Sequence, residues 1–163
     1  MSNVILITGI GGDIAQGVAT ILRESRPDIY LIGVDMHPQH GGHLFVDQFA
    51  LVPSASAPDY LDAIKAIVRK YSVDVMIPMS EPELAAMRPF SELAPGVKWI
   101  TAGERVVGAG LDKLETMRAL TALGIPVPWT KPVSEGRPIA YPCILKNRSG
   151  SGSRAVLDRK SVV

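Results

Sequence analysis

The sequence predicts an α/β protein with a parallel sheet, followed by part of a second, α+β unit. Three observations lead to this fold class. Short β-branched strands alternate with amphipathic helices over residues 4–100, a glycine-rich turn joins the first strand to the first helix, and the alternation stops near Gly110. Alternation of this kind is typical of parallel strands joined by right-handed crossovers.

The individual elements follow from the spacing of the apolar residues. After the first strand, Ile14, Val18 and Ile21 recur at helical intervals, and the next helix opens at Asp59. Continuous β-branched runs bounded by turn residues indicate buried strands. The predicted strands cover residues 4–8, 29–34, 49–52, 73–79 and 97–100, and the predicted helices cover 14–23, a segment from 59, and a short one at 81–87.

A different pattern begins after Gly110. Asp112 and Glu115 have the spacing of a capping box, in which Asp112 accepts from the amide three residues on and Glu115 reaches back to the amide of Asp112. The helix that starts there ends at Gly124. Its predicted apolar face is Leu114, Met117, Leu120 and Leu123, and strands at 142–146 and 155–157 follow. We therefore predict two domains, 1–110 and 111–163.

Composition excludes several classes of protein. Of the 163 residues, 47% are hydrophobic and 20% are charged, which is enough apolar surface for a core. Seventeen basic and 16 acidic residues give a net charge of +1, so no broad field attracts nucleic acid or an anionic membrane. The start of the chain lacks a basic signal region, and residues 4–10 are too short a run to span a membrane. The single cysteine, Cys143, is expected in a strand interior, and a cytoplasmic protein is predicted.

The first glycine-rich turn leaves alternatives open. Gly11 and Gly12 lie between a strand and a helix, and Asp35 ends the second strand 23 positions after Gly12, which resembles a dinucleotide fingerprint. This favours an NAD(P)-dependent oxidoreductase or epimerase. Against it, Asp13 places a negative charge at the helix start, and no Tyr-x-x-x-Lys pair is present. The glycines also fit close packing without a ligand. Glu81, after another strand end, is a further candidate for substrate binding, although helix stabilisation explains it as well.

A second glycine-rich loop follows the strand that ends at Lys146. Because no helix comes after it, this loop is predicted to be a hairpin lid whose amides close over phosphates. Lys146 shares a face with Ile144, and a lysine on a partly buried face needs an anionic partner. A solvated turn beside an exposed lysine is the alternative.

Three histidines follow the second strand. His37, His40 and His43 invite a metal hypothesis, but they lie in an irregular loop with Pro38. A solvated or substrate-facing loop is the preferred interpretation, and no metal site is predicted.

Taken together, the carboxyl-terminal motifs resemble the ATP-grasp superfamily, in particular its carbamoyl-phosphate-synthase-like branch. In that branch a Rossmann-like pre-grasp domain precedes the grasp domain, and the first glycine turn, Asp35 and residues 73–84 look like such a domain. The grasp motifs are Asp112-Lys113, Thr116, Leu120, Gly124-Ile125-Pro126, Pro128, Thr130, Tyr141-Pro142, Ile144, Lys146 and residues 150–154.

The resemblance implies specific roles. Lys113 and Lys146 correspond to the two lysines that contact the phosphates of ATP, and the lid comprises Ser149, Gly150, Ser151, Gly152, Ser153 and Arg154. The reaction implied joins a small-molecule carboxylate to an amine or other nucleophile through an acyl phosphate, with Mg²⁺. In this family the Mg²⁺ ligands lie further along, and the sequence ends nine positions after Arg154. We therefore expect a fragment that is inactive alone. A homodimer and a noncatalytic nucleotide-binding module are left open.

Overall fold

The computed structural model describes residues 3–150 and 156–159, and its contacts divide the chain into two compact units, residues 1–104 and 105–163. The first unit ends at Glu104, before the predicted boundary at Gly110. Its sheet is parallel throughout, in the order β3-β2-β1-β4-β5. The strands are β1 (Val4–Thr8), β2 (Tyr30–Asp35), β3 (Gln48–Leu51), β4 (Val75–Ile77) and β5 (Lys98–Trp99). The predicted α/β class is confirmed.

Helices connect these strands. The helices of the first unit are α1 (Asp13–Ser25), α2 (Tyr60–Tyr71), α3 (Glu81–Ala86) and α4 (Phe90–Leu93), with a 3-10 turn at Gly41–Phe45. Of these, α1, α2 and α3 lie where the sequence predicts helices, whereas α4 was not predicted. The centre of the core is β1 and its neighbours, because Leu6 pairs in register with Ile32 on one side and Met76 on the other, and all three side chains are fully buried. Such continuous burial explains why these strands are uninterrupted apolar runs.

The strand order places a switch point beside β1. The chain moves from β1 outward to β2 and β3, then returns to form β4 on the other side of β1. At such a reversal the connections leave the carboxyl ends of neighbouring strands in opposite directions and open a crevice, where α/β proteins bind ligands. Thr8, at the end of β1, and the segment after Ile77 therefore border the first candidate site.

The second unit contains two helices and a hairpin. These elements are α5, which the structure assigns to Glu104–Leu111, α6 (Lys113–Ala122), β6 (Cys143–Lys146) and the antiparallel β7 (Val156–Arg159). The Asp112 carboxylate accepts from the amides of Leu114 and Glu115 at 2.9 and 3.3 Å, so the predicted cap is present. The reciprocal half is wrong, because the Glu115 carboxylate binds Arg118 instead.

Other sequence-based expectations need correction. Residues 104–111 form a helix where none was predicted. The predicted apolar face of α6 is only partly used, because Leu114 is buried whereas Leu123 is 71% exposed. Leu114, Met117, Ile125 and Trp129 are among the residues that line an open groove of about 760 Å³. Within the described residues, no helix is both long and apolar enough to cross a membrane.

Candidate functional site

The carboxylate of Asp35 occupies the first glycine turn by accepting a backbone hydrogen bond there. The amide of Gly11 donates to Oδ2 of Asp35 at 2.9 Å, and Oδ1 of Asp35 accepts from the amide of His37 at 2.9 Å. The amide of Gly12 donates to the carbonyl of Gly9 at 3.0 Å. A Cβ on Gly11 would lie 2.9 Å from Oδ2 of Asp35 and 3.0 Å from the His40 ring, so a larger residue here would have to displace these side chains. Both glycine amides that a pyrophosphate would use are thus already engaged.

A buried carboxylate lies at the switch point. Oε2 of Glu83 accepts from the hydroxyls of Thr8 and Ser80, both at 2.7 Å, and Oε1 accepts from the hydroxyl of Tyr60 at 3.3 Å. Only 8% of Glu83 is exposed. Its burial raises the pKa of Glu83, and the three hydroxyl donors offset part of that effect. Burial, reinforced by Glu83, also raises the pKa of Tyr60.

This hydroxyl and carboxylate cluster connects three elements of the first unit. Thr8 ends β1, Tyr60 begins α2, and Ser80 caps α3 by accepting from the amide of Glu83 at 3.4 Å. The Thr8 hydroxyl also accepts from the amide of Met79 at 3.0 Å. The cluster therefore fixes the path of the chain between the end of β4 and the start of α3.

The edge of the sheet at the switch point is acidic. Asp13 begins α1 and is exposed, Asp35 ends β2, and Glu81 and Glu83 follow β4. A carboxylate of Asp13 already accepts from the neighbouring amide of Ile14 at 2.9 Å. A dinucleotide pyrophosphate at this edge would meet like charge, which opposes its binding.

The histidine side chains pack against each other and against β3. The rings of His40 and His43 stack with centroids 4.7 Å apart, and His43 contacts Phe49 at 4.1 Å. Nδ1 of His40 accepts from the amide of Gly42 at 3.0 Å. Over the part of the chain that the structure describes, no three His, Cys, Asp or Glu side chains are grouped to hold a metal ion.

In the second unit, the amino terminus of α6 contacts the base of the glycine-serine loop. The Lys113 ammonium donates to the carbonyl of Gly150 at 2.7 Å, and the amide of Lys113 donates to the carbonyl of Arg148 at 2.9 Å. Nε of Arg148 donates to Oδ1 of Asp112 at 3.1 Å, and a second, short bond joins Nη2 to Oδ2. The hydrogen bonds from Arg148 hold the pKa of Asp112 below its usual range.

Lys146 lies at the end of β6, paired in register with Val156. The prediction of a partly buried face is wrong, because Lys146 is exposed and Ile144 is 66% exposed. Ser149 and Gly150 are exposed, and Gly150 has a φ of 101°, a conformation that favours glycine. Ser151, Gly152, Ser153 and Arg154 lie outside the described residues, so their assignment to a lid stays a prediction.

A family model named PylC-like, N-terminal domain matches residues 5–100. The chain belongs to this family. The match covers the sheet, the first glycine turn and the Glu83 cluster, and it ends just before α5. A search of curated protein sequences found no match.

Solved structures share the fold of this PylC-like protein. N5-carboxyaminoimidazole synthetase from Staphylococcus aureus aligns with 99% of the chain at a TM-score of 0.73 and 15% identity, over 42% of its own length. The biotin carboxylase domain of Hydrogenobacter thermophilus 2-oxoglutarate carboxylase, a dimer with MgADP, ADP and bicarbonate, aligns with 98% at 0.71 and 19%, over 38% of its length. L-amino acid ligase from Bacillus licheniformis aligns with 99% at 0.67 and 13%, over 39% of its length.

The family match confirms the resemblance to the ATP-grasp superfamily, and the three solved structures share the fold. At these identities the structural likeness shows the fold alone. The chain spans about two fifths of the length of the three proteins.

Two features of this PylC-like chain are not apparent from its sequence. Glu83 lies in the first turn of a helix, where the helix dipole alone would explain an acid, yet it is the centre of a buried cluster. The Ser80-x-x-Glu83 spacing signals a helix start, but nothing nearby in the sequence signals burial. Arg148 joins the loop to α6, a contact that its position two residues after Lys146 does not reveal.

Proposed function

We propose that the chain is the amino-terminal part of an ATP-dependent carboxylate-amine ligase of the carbamoyl-phosphate-synthase-like ATP-grasp branch. One observation carries the proposal. The Lys113 ammonium lies 2.7 Å from the carbonyl of Gly150, in the loop that follows Lys146. Two residues that the resemblance assigns to ATP phosphates thus belong to elements joined at the base of one glycine-rich loop.

The chemistry of this loop base suits a polyphosphate. Lys113 is bonded to a neutral carbonyl, and a phosphate oxygen would be a stronger partner because a bond between two charged groups exceeds one to a neutral acceptor. Lys146 is exposed, so it can turn toward the same ligand at little cost. In phosphoryl transfer, fixed cations stabilise the charge that spreads over the transferred group. In this proposal the γ-phosphoryl group of ATP moves to the carboxylate substrate, which gives an acyl phosphate and ADP. The amine then attacks the acyl carbon, and phosphate leaves as the new bond forms.

The proposal divides the remaining roles between the two units. The Mg²⁺ ligands are placed outside residues 1–163, and the chain alone is expected to be inactive as a ligase. The acidic edge of the first unit, with Gly11, Gly12, Asp35 and Glu81, is assigned to binding of the small-molecule substrate, where its charge suits the amine better than the carboxylate. The protein is placed in the cytoplasm, and a homodimer is compatible with the dimeric biotin carboxylase domain among the structural neighbours.

The test is ATP binding by the 163-residue chain, followed by amide NMR. We expect ATP to shift the amides of Lys113, Lys146 and Gly150, and Lys146→Ala to weaken binding about tenfold, as expected for loss of one charge-assisted bond. Lys131→Ala is the matched control, because Lys131 is also in the second unit and its ammonium donates to a carbonyl, that of Glu135, at 2.9 Å.

Three outcomes would contradict the proposal. Equal weakening by the two substitutions would show a nonspecific charge effect. Hydrolysis of ATP by the isolated chain would contradict its predicted inactivity. Binding of NAD(P) with shifts at Gly11, Gly12 and Asp35 would instead support the oxidoreductase alternative.

A further inference from the structure

The amino terminus of α6 and the base of the glycine-serine loop are joined by a cluster of four charged residues, Asp112, Lys113, Glu115 and Arg148, here called the Arg148 cluster. Its centre is the guanidinium of Arg148, which binds both carboxylate oxygens of Asp112. Nη2 of Arg148 also lies 3.6 Å from Oε1 of Glu115. Two backbone carbonyls, those of Arg148 and Gly150, accept from Lys113.

We propose that Arg148 is a positioning residue of the nucleotide site, which sets the distance between Lys113 and Lys146. This inference rests on the proposed function. Arg148 lies two residues after Lys146, and its side chain grips the residue that immediately precedes Lys113. The guanidinium is therefore a cross-connection between the two elements that carry the lysines.

The geometry of the contact favours arginine. Nε and Nη2 of Arg148 face the two oxygens of Asp112 side by side, a planar arrangement that a lysine ammonium cannot reproduce. Asp112 in turn is immobilised as the cap of α6, because its Oδ1 also accepts from the amide of Leu114 at 2.9 Å. Arg148 thus fastens the loop to the rigid end of a helix rather than to another mobile side chain.

The charge of the Lys113 ammonium is not neutralised within the Arg148 cluster, so it can bind an anionic ligand. The charge of Arg148 is balanced by Asp112 and Glu115, whereas the Lys113 ammonium has a neutral carbonyl as partner. A phosphate can therefore replace the carbonyl of Gly150 on Lys113 without breaking the bonds of Arg148. The bond from the Lys113 amide to the carbonyl of Arg148 stays in place during this exchange.

The experiment uses the full 163-residue chain, with ATP as the probe and adenosine as the ligand lacking phosphates. Arg148→Gln removes the grip on the loop, and we expect it to raise the Kd for ATP about fivefold, the scale of a favourable ion-pair contact. Asp112→Asn should have the same effect, because asparagine preserves the cap of α6 but not the ion pair. Arg148→Lys should fall between wild type and Arg148→Gln.

Arg118→Gln is the matched control. Arg118 also binds Glu115, at 2.8 Å, and it carries the same charge as Arg148, but this bond stays within α6. We expect this variant to bind ATP within about twofold of wild type, because Arg118 is an exposed, solvent-screened charge whose hydrogen bond to Glu115 does not connect α6 to the loop. An equal loss in Arg118→Gln would overturn the positioning role in favour of a general charge effect.

Two further measurements separate positioning from a general structural defect. In a Lys113→Ala background, Arg148→Gln should have no added effect, because the distance between the two lysines no longer matters; additive losses would overturn the proposal. Hydrogen exchange of the Lys113 amide without ATP should quicken in Arg148→Gln and not in Arg118→Gln, and unchanged exchange would show that Arg148 anchors nothing.

The readouts distinguish the two proposals. If wild type does not respond to ATP, the proposed function fails, and the nucleotide role of Arg148 fails with it. If wild type binds ATP, with Lys146→Ala impaired and Arg148→Gln unimpaired, only the positioning role is overturned. No response to adenosine is expected from any variant, because the recognition described here is for phosphate.

Discussion

Replacing Glu83 by glutamine should change the way in which stability depends on pH. Burial raises the pKa of Glu83 in the folded chain above its ordinary value of 4.5. The folded state therefore holds this proton more tightly than the unfolded state does. The stabilisation that comes from the protonated Glu83 is fully present below about pH 4.5 and is lost as the pH rises through the pKa of Glu83 in the folded chain. Glu83→Gln has no proton to lose, so the variant lacks this decline.

The size of the effect follows from the difference between the two chains. Each unit by which the folded pKa exceeds the unfolded one corresponds to about 1.4 kcal/mol of stability lost across that window. The Asp47 carboxylate, whose pKa is lowered by the amide of Leu31 and by Arg23, acts in the opposite direction. Because both chains keep Asp47, it cancels when their free energies of unfolding are subtracted. Glutamine also keeps an oxygen acceptor for the hydroxyls of Thr8 and Ser80.

Urea denaturation of both chains between pH 4 and 8 is the assay. The free energy of unfolding of Glu83→Gln, relative to wild type, should rise with pH and then level off above the folded pKa. Glu81→Gln is the control, since Glu81 is exposed two residues away, and its effect should stay within about 0.5 kcal/mol throughout. A difference between Glu83→Gln and wild type that is constant with pH, or that falls, would refute the raised pKa and its assignment to burial.

Two further substitutions test the packing around this edge of the sheet. Thr8→Val removes one of the two donors to Oε2 of Glu83 and leaves the amide of Met79 without its acceptor. Urea unfolding should therefore show a loss of about 1–3 kcal/mol in the free energy of unfolding. A loss below about 0.5 kcal/mol would contradict these hydrogen bonds of the Thr8 hydroxyl. Gly42→Ala should lower the melting temperature strongly, because its Cβ would lie 2.3 Å from the carbonyl oxygen of Ile10, whereas Gly41→Ala meets nothing within 4 Å. Similar melting temperatures for the two alanine variants would contradict the tight approach at Gly42.

The sheet was predictable because its signal is local. Each central strand is a short, continuous apolar run bounded by turn residues, which is typical of a strand that is buried on both faces of a sheet. The helix α5 was missed for the opposite reason. It contains Gly108 and Gly110, each of which disfavours a helix by about 1 kcal/mol relative to alanine. Its first residue, Glu104, accepts from the amide of Phe90 at 2.6 Å and from Arg88 at 2.9 Å, contacts that no local pattern reveals.

The Glu83 cluster shows the same limit at the candidate site. Thr8 lies 75 residues and Tyr60 23 residues from Glu83 along the chain. A local rule assigns an acid in the first turn of a helix to the helix dipole, and that assignment is satisfactory until the fold buries the side chain. The Ser80 contact is local, but only the return of the chain to form β4 beside β1 brings the Thr8 hydroxyl to the same carboxylate oxygen.

The two glycine-rich loops look alike in sequence, but their partners have opposite charge. The first presents amides, and the carboxylate of Asp35 already accepts from the amide of Gly11, so the protein itself supplies the anion. The second presents the carbonyl of Gly150 to the ammonium of Lys113, so the protein supplies the cation. An incoming phosphate would have to displace a carboxylate from the first loop, but it need only replace a neutral carbonyl at the second. This difference favours the second loop as the phosphate site, and the ATP titration of Lys146→Ala against Lys131→Ala tests it directly.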